Sequence, residues 1–208
     1  MVRRTKEEAD ATRQALLDAA EHVFYEKGVG RASLAEIAQA AGATRGAIYW
    51  HFRDKVDLFN AMMDRVTLPL EAAYDADEAA RGDPLQRVRV AVCAVFSAVV
   101  GDTHARRVFE IAMYRVEYVA ELNGVRERHQ AAMQRCHAML TRDLALAARQ
   151  ARVALPMPAA EAALGLQALF DGLLQGWILT GAPFDPLAVG RRTMDVYLSG
   201  LGFAPQGA

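Results

Sequence analysis

The sequence predicts an all-α protein, with a small N-terminal domain of three helices followed by a larger helical domain. Three observations carry this. Apolar residues recur at three- and four-residue spacings along almost the whole chain, the period of one helix face. Cap signals stand where the stripes begin, Ser33 with Glu36, Asp83 with Pro84 and Asp185 with Pro186. Glycines and prolines stand where they stop, at Gly28, Gly42, Gly101, Gly181 and Pro183.

Leu16, Leu17, Ala20, Val23 and Phe24 make the buried stripe of the first helix, which Gly28 closes as a left-handed cap with Val29 folding back. Ser33 and Glu36 form a capping box for a second helix, whose narrow stripe is Leu34, Ile37 and Ala38 and whose end is Gly42. Thr44 caps a third helix with Ile48 and Phe52 inward. Asp54 caps the next, which continues through Leu58, Phe59, Met62, Met63 and Val66. Pro69 predicts a kink or break near residues 65 to 69, because proline removes a backbone hydrogen bond and clashes with the preceding turn.

Asp83 and Pro84 open a helix striped with Leu85, Val88, Val92, Val95, Phe96 and Val99. Asp102 caps a short helix holding Val108, Ile111 and Ala112, followed by a segment through Met113, Tyr114, Val116 and Tyr118. A long helix from about Leu122 to Arg152 turns Val125, Met133, Cys136, Leu140 and Leu144 inward. Pro156 and Pro158 mark a turn before a helix apolar on more than one face, from Ala162 to Ile178. Such a helix must be buried on two sides. Asp185 and Pro186 start the last helix, with Leu187, Met194, Tyr197, Leu198 and Leu201.

With 208 residues and a formal net charge of −1, the chain has no globally basic coat, so any nucleic-acid binding must come from a local patch. Cys93 and Cys136 lie in apolar helical patterns without metal or redox spacing and read as reduced core residues. There is no signal-peptide pattern and no run of about 18 apolar residues, so the expected location is the cytoplasm, with no membrane partner. His22, His51, His104, His129 and His137 are scattered, and no nucleophile elbow, P-loop or metal motif is present. No catalytic residue, cofactor or metal is expected.

The third helix is the informative one. Outside Ile48 and Phe52 it carries Thr44, Arg45, Gly46, Tyr49, Trp50 and His51, a dense set of hydrogen-bonding and aromatic groups with no carboxylate. Tyr49 and Trp50 are neighbours about 100° apart on the helix, so at least one needs an external partner. A helix-turn-helix meets DNA with such a helix in the major groove. The stretch SLAEIAQAAG followed by TRGAIYWHFRDK, from Ser33 to Lys55, together with the opening MVRRTKEEA, resembles the DNA-reading domain of the TetR family of bacterial repressors, close to its AcrR-like multidrug-efflux members.

That resemblance implies a DNA-binding domain over residues 1–54 and a ligand-binding and dimerisation domain over 55–208. Arg45 is the candidate for a base edge. Tyr49, His51, Lys55, Ser33 and Thr44 are candidates for phosphates, Gly46 for close backbone approach, and Trp50 for the same outward face. Arg3 and Arg4 form an arm suited to a phosphate or the minor groove. The resemblance further implies a cavity for a hydrophobic or aromatic inducer, with Phe96, Phe109, Met113, Val116, Glu117, Met133, Cys136, Phe170, Asp171, Leu174, Gln175 and Ile178 as candidate lining. It implies a homodimer through the last two long helices and release from double-stranded operator DNA when ligand binds. A helical small-molecule carrier or enzyme without operator binding, and an activator of the same fold, are the alternatives.

Overall fold

The computed structural model describes residues 6–79, 82–117, 119–181 and 183–204. Arg3, Arg4 and Tyr118 lie outside the described residues. Among the described residues there are nine α-helices and one short 3-10 helix, with no strand: α1 (Lys6–Lys27), α2 (Leu34–Ala40), α3 (Arg45–His51), α4 (Lys55–Ala79), α5 (Pro84–Gly101), α6 (Thr103–Tyr114), the 3-10 turn Ala120–Leu122, α7 (Asn123–Ala151), α8 (Ala159–Leu179) and α9 (Pro186–Gly200). The predicted caps are in place. Asp83 accepts from the Leu85 N–H, Asp54 from Asp57, and Asp185 from Leu187 and Ala188.

The helices group into two compact units. One runs through Thr67 and takes in Arg107–His129; the other comprises Leu68–Arg106 and the chain from Gln130 onward. These divisions fall inside α4, α6 and α7. The first unit is therefore larger than the three helices read from the sequence. Leu16, Phe24, Ile37 and Ile48 share one core with Leu58, Phe59 and Met62 of α4, Val108 and Ile111 of α6, and Leu122 and Val125 beyond it. One long helix and two of seven residues bury too little apolar surface alone, and the added side chains complete the core.

Of the kink or break expected near residues 65 to 69, the break does not occur. The helix α4 runs unbroken from Lys55 to Ala79 with Pro69 inside it, so one missing N–H is tolerated where both flanking stretches are held by packing. A second difference concerns α5 and α8, which have the length and hydropathy of a spanning segment although no run of the sequence reads as one. Both also carry buried polar side chains. The guanidiniums of Arg87 and Arg89 on α5 are buried in ion pairs with Asp143 and Asp195, and α8 carries the buried Gln167.

In the second unit α9 packs on α5 and α8. Gly190 makes the approach possible, since a Cβ there would stand 3.1 Å from the Phe96 ring. Beside this contact lies a polar knot. Asp143, fully buried on α7, accepts from Arg87 Nη2 at 2.8 Å and Nε at 3.1 Å and from the Tyr74 hydroxyl at 2.6 Å. Burial is the largest single influence on its carboxyl and opposes ionisation. The hydrogen bonds from Arg87 and Tyr74 and the charges of Arg87 and Arg142 together outweigh it and hold the group below its ordinary value. Tyr74 is pushed up to about 12, by burial first and then by Asp143.

A carboxyl with a depressed folded value stabilises fully above its ordinary range and loses that contribution as pH falls through the folded value. Replacing Asp143 by Ala leaves Arg87 buried and unpaired, and should destabilise the second unit by about 3–5 kcal/mol. Thermal melts across pH should show this loss at neutral pH. They should also show a shallower acid decline below about pH 4 in the variant than in the parent chain.

Candidate nucleic-acid interface and cavity

The α2–α3 corner is built from caps. Glu36 N–H donates to Ser33 Oγ at 3.2 Å, and the Glu36 carboxylate accepts from Ser33 N–H at 2.9 Å and from its hydroxyl at 2.8 Å. Lys27 Nζ donates to the same carboxylate at 2.7 Å. Chiefly through Lys27, and then Ser33, the Glu36 carboxyl is held down to about 2. Gly42 takes φ +64°, with open space where a Cβ would stand, so conformation rather than room favours glycine there. The Gly42 and Ala43 N–H groups return to the Gln39 and Ala38 carbonyls at 3.1 and 2.9 Å, the paired bonds of a Schellman ending. Thr44 Oγ1 then accepts from Ala47 N–H at 3.1 Å and starts α3.

With Ile48 and Phe52 buried, the other faces of α3 turn outward. Trp50 is 74% exposed and Tyr49 50%. The Arg45 guanidinium stands 5.8 Å from the centre of the Tyr49 ring, and the Trp50 and His51 rings meet edge-on at 4.5 Å. Gly46 is exposed, and a Cβ there would meet nothing nearer than Thr44 Oγ1 at 3.9 Å, so the helix surface is low at this point. Thr44 keeps its hydroxyl proton available to an outside acceptor, whereas the Ser33 hydroxyl proton is taken by Glu36.

Lys55, the expected phosphate contact, is half-buried and already engaged. Its Nζ donates to the Gly30 and Ala32 carbonyls, at 2.7 and 3.0 Å. These oxygens offset the unfavourable position of a cation in the first helical turn, and one of the three ammonium N–H groups is left over. The sequence reading passed over Arg53, whose side chain is 85% exposed just after α3 and only 3.6 Å from Asp57. Its place in the run RDK was the available signal.

In the second unit a cavity of about 100 Å³ lies between α5, α7 and α8. Of the predicted lining, Phe96, Cys136, Phe170, Asp171 and Leu174 meet there, with the Phe96 and Phe170 rings tilted at 5.6 Å. Val92, Val95, Met139, Leu140 and Gln167 complete most of the wall. Val92 stands four residues from Phe96, Met139 and Leu140 three and four from Cys136, and Gln167 three from Phe170, a spacing that could have found them. Met133 adjoins through Gln167, whose Nε2 donates to the Met133 carbonyl at 3.4 Å and its Sδ at 3.3 Å. Burial, and then the charge of Asp171, pushes the Cys136 thiol up to about 11, so it is neutral and unreactive at ordinary pH.

The remaining candidates are not in this wall. Gln175 is exposed and Ile178 half-buried on α8. Phe109, Met113, Val116 and Glu117 belong to the first unit. There Val116 packs on the core, and the Glu117 carboxylate lies against the α1–α2 turn, where a Cβ on Gly30 would collide with it. The Arg115 carbonyl beside it accepts from Val29 N–H at 2.8 Å. Val116, Glu117 and the Arg115 carbonyl form part of the platform under the corner.

Residues 16–62 match the family described as bacterial regulatory proteins of the tetR family, and residues 83–203 match the C-terminal region of MAATS-type transcriptional repressors. The HTH-type transcriptional regulator TtgR of Pseudomonas putida is 38% identical over 206 residues, spanning 99% of this chain and 98% of TtgR. The structure of NalD, the secondary repressor of the MexAB-OprM multidrug efflux pump in Pseudomonas aeruginosa, superposes with a TM-score of 0.84 at 33% identity, covering 96% of this chain and all of NalD. A complex of SmeT with triclosan superposes with a TM-score of 0.77 at 30% identity, over 94% of this chain and 96% of SmeT; SmeT is the repressor of the SmeDEF multidrug efflux pump of Stenotrophomonas maltophilia. These relatives are repressors or regulators of transcription, and the matches extend over both units. The chain belongs to the TetR family of bacterial regulatory proteins.

Proposed function

We propose that the protein is a cytoplasmic, homodimeric repressor that binds the operator of a multidrug-efflux operon and is released by hydrophobic small molecules. The observation that carries the DNA-binding part is the outward face of α3. A capped seven-residue helix presents Arg45, Tyr49 and a Trp50 that is three-quarters exposed, and a folded chain in water gains nothing by holding a Trp there without a partner. Arg45, near the helix N-terminus, suits bidentate donation to guanine. Thr44, Tyr49, His51, Arg53 and the third N–H of Lys55 suit phosphates.

Dimerisation through α8 and α9 is supported by Leu164, Leu179 and Val196, which lie exposed on these helices, the last two at 70% and 73%. Two α3 helices related by a twofold axis would then meet two half-sites. The cavity between Phe96 and Phe170, with Asp171 in its wall, suits an aromatic inducer bearing a hydrogen-bond donor. Efflux control is favoured by NalD and SmeT, each a repressor for such a pump, and an apolar inducer by the triclosan bound to SmeT.

Fluorescence anisotropy on DNA upstream of the protein's own gene tests the whole reading, at several salt concentrations and with random DNA as competitor. Equal affinity for both DNAs overturns it. Arg45→Ala should weaken specific binding by about 1–3 kcal/mol and relax base preference at one position of each half-site.

Lys55 and Arg53 should separate in the same assay. Lys55→Met should reduce the salt slope by about 1 and also lower the melting temperature, because two backbone carbonyls lose their donor. Arg53→Ala should reduce the slope alike and leave the melt unchanged, since its side chain is almost fully solvated.

A further inference from the structure

We infer that the effector is an elongated amphiphile with an aromatic end and a basic head, held in two cavities that join when Met139 swings aside. The inference deepens the ligand-responsive reading and rests on it. Volume is the starting point. The inner cavity of about 100 Å³ is well below the roughly 300–1,000 Å³ of sites that take drug-sized molecules. It has room for about one small ring.

A second, open cleft of about 550 Å³ lies between α4, α5 and α7. The two spaces are neighbours. Ala91, Val95, Cys136 and Met139 line both. Three of these side chains are short or stiff, while methionine is unbranched with three rotatable bonds. Met139 is only half-buried, so a rotamer change lets it leave the wall. The two volumes together fall in the drug-sized range, and a molecule that fills both must be long enough to reach from one into the other.

Its two ends differ chemically. The inner end holds the tilted Phe96 and Phe170 rings and suits an aromatic group. At the outer rim both arginines have partners: Arg135 stands 3.3 Å from Glu71, and Arg142 donates to Asp143 and to the Tyr74 hydroxyl. Asp75, exposed in the same rim, has no ion-pair partner among the described residues. A positively charged head reaching the rim meets a free carboxylate; a negative one meets arginines already engaged.

The test uses benzylamine, phenylhexylamine and phenylhexanoate with the full-length protein, read by calorimetry and, in parallel, by operator anisotropy. Phenylhexylamine should bind at least about tenfold tighter than benzylamine, since the extra methylenes are buried, and tighter than phenylhexanoate. Met139→Trp fills the wall from α7, and Ala91→Leu fills it from α5, so a misfolded variant of one kind leaves the other to decide. In a variant that melts cooperatively, the affinity ratio of long over short amine should collapse towards one. Asp75→Asn should remove the preference of amine over carboxylate.

A length ratio that survives both wall substitutions, or absence of binding by every probe, overturns the inference. The expected pattern of binding with unchanged operator affinity would support the two-cavity site and sink ligand-controlled repression instead. Operator release by compounds that show neither length nor charge preference would do the reverse.

Discussion

The left-handed backbone at Gly42 is the constraint from which the DNA-facing surface follows. At φ +64° the chain reverses in a single residue, and the two backward hydrogen bonds to Ala38 and Gln39 fix where α2 stops. Thr44 can then cap α3 only one residue after Ala43. With Ile48 and Phe52 committed to the core, helical geometry leaves Tyr49 and Trp50 no inward position. Their exposure is therefore a consequence of the turn rather than a separate choice. A non-glycine residue at 42 would strain the backbone in otherwise open space.

A corner this small needs support, and the structure supplies it from distant sequence. Lys55 bridges the carbonyls of Gly30 and Ala32, so the start of α4 holds the connection into α2. Glu21, almost fully buried on α1, pairs with Arg107 at 3.1 Å. The guanidiniums of Arg107 and Arg115 both stand over the Tyr25 ring, at 5.3 and 5.5 Å from its centre. Each of these contacts ties α1 or its following turn to a segment more than twenty residues away. The platform under the recognition helix is thus made partly of residues that follow α5 in the chain.

This explains what the sequence could and could not disclose. Capping boxes, Asp-Pro starts and the helix-ending glycines act within four or five residues, and they were readable at Ser33, Gly42, Asp83 and Asp185. The stripe of α1 was readable for the same reason, because its periodicity reports a buried face whatever covers it. Which segment covers a face is a long-range fact. Nothing local to Val116 and Glu117 says that they sit with the corner, while Phe96, Cys136 and Phe170 gather around a cavity. Lys55 carries the same lesson, since a cation at a helix start signals an oxygen partner but not whether that oxygen is a phosphate or a neighbouring carbonyl.

Pro69 and the polar knot at Asp143 show why composition alone misleads about rigidity. A proline predicts disruption from the bond it cannot make, yet α4 remains helical on both sides of it. Five residues beyond Pro69, within two turns of it, Tyr74 reaches the buried Asp143 carboxylate of α7 at 2.6 Å, and Arg87 of α5 donates to the same carboxylate. A hydrogen bond to a buried ion is stronger than the single backbone bond that proline forfeits, by roughly 1 kcal/mol or more. The helix is held beyond the proline by its end contact, and continuity through Pro69 is the cheaper arrangement. The same knot borders the outer cleft, where Tyr74 and Arg142 form part of the rim. The polar groups that hold α4 beyond Pro69 therefore also shape the wall against which an effector would lie.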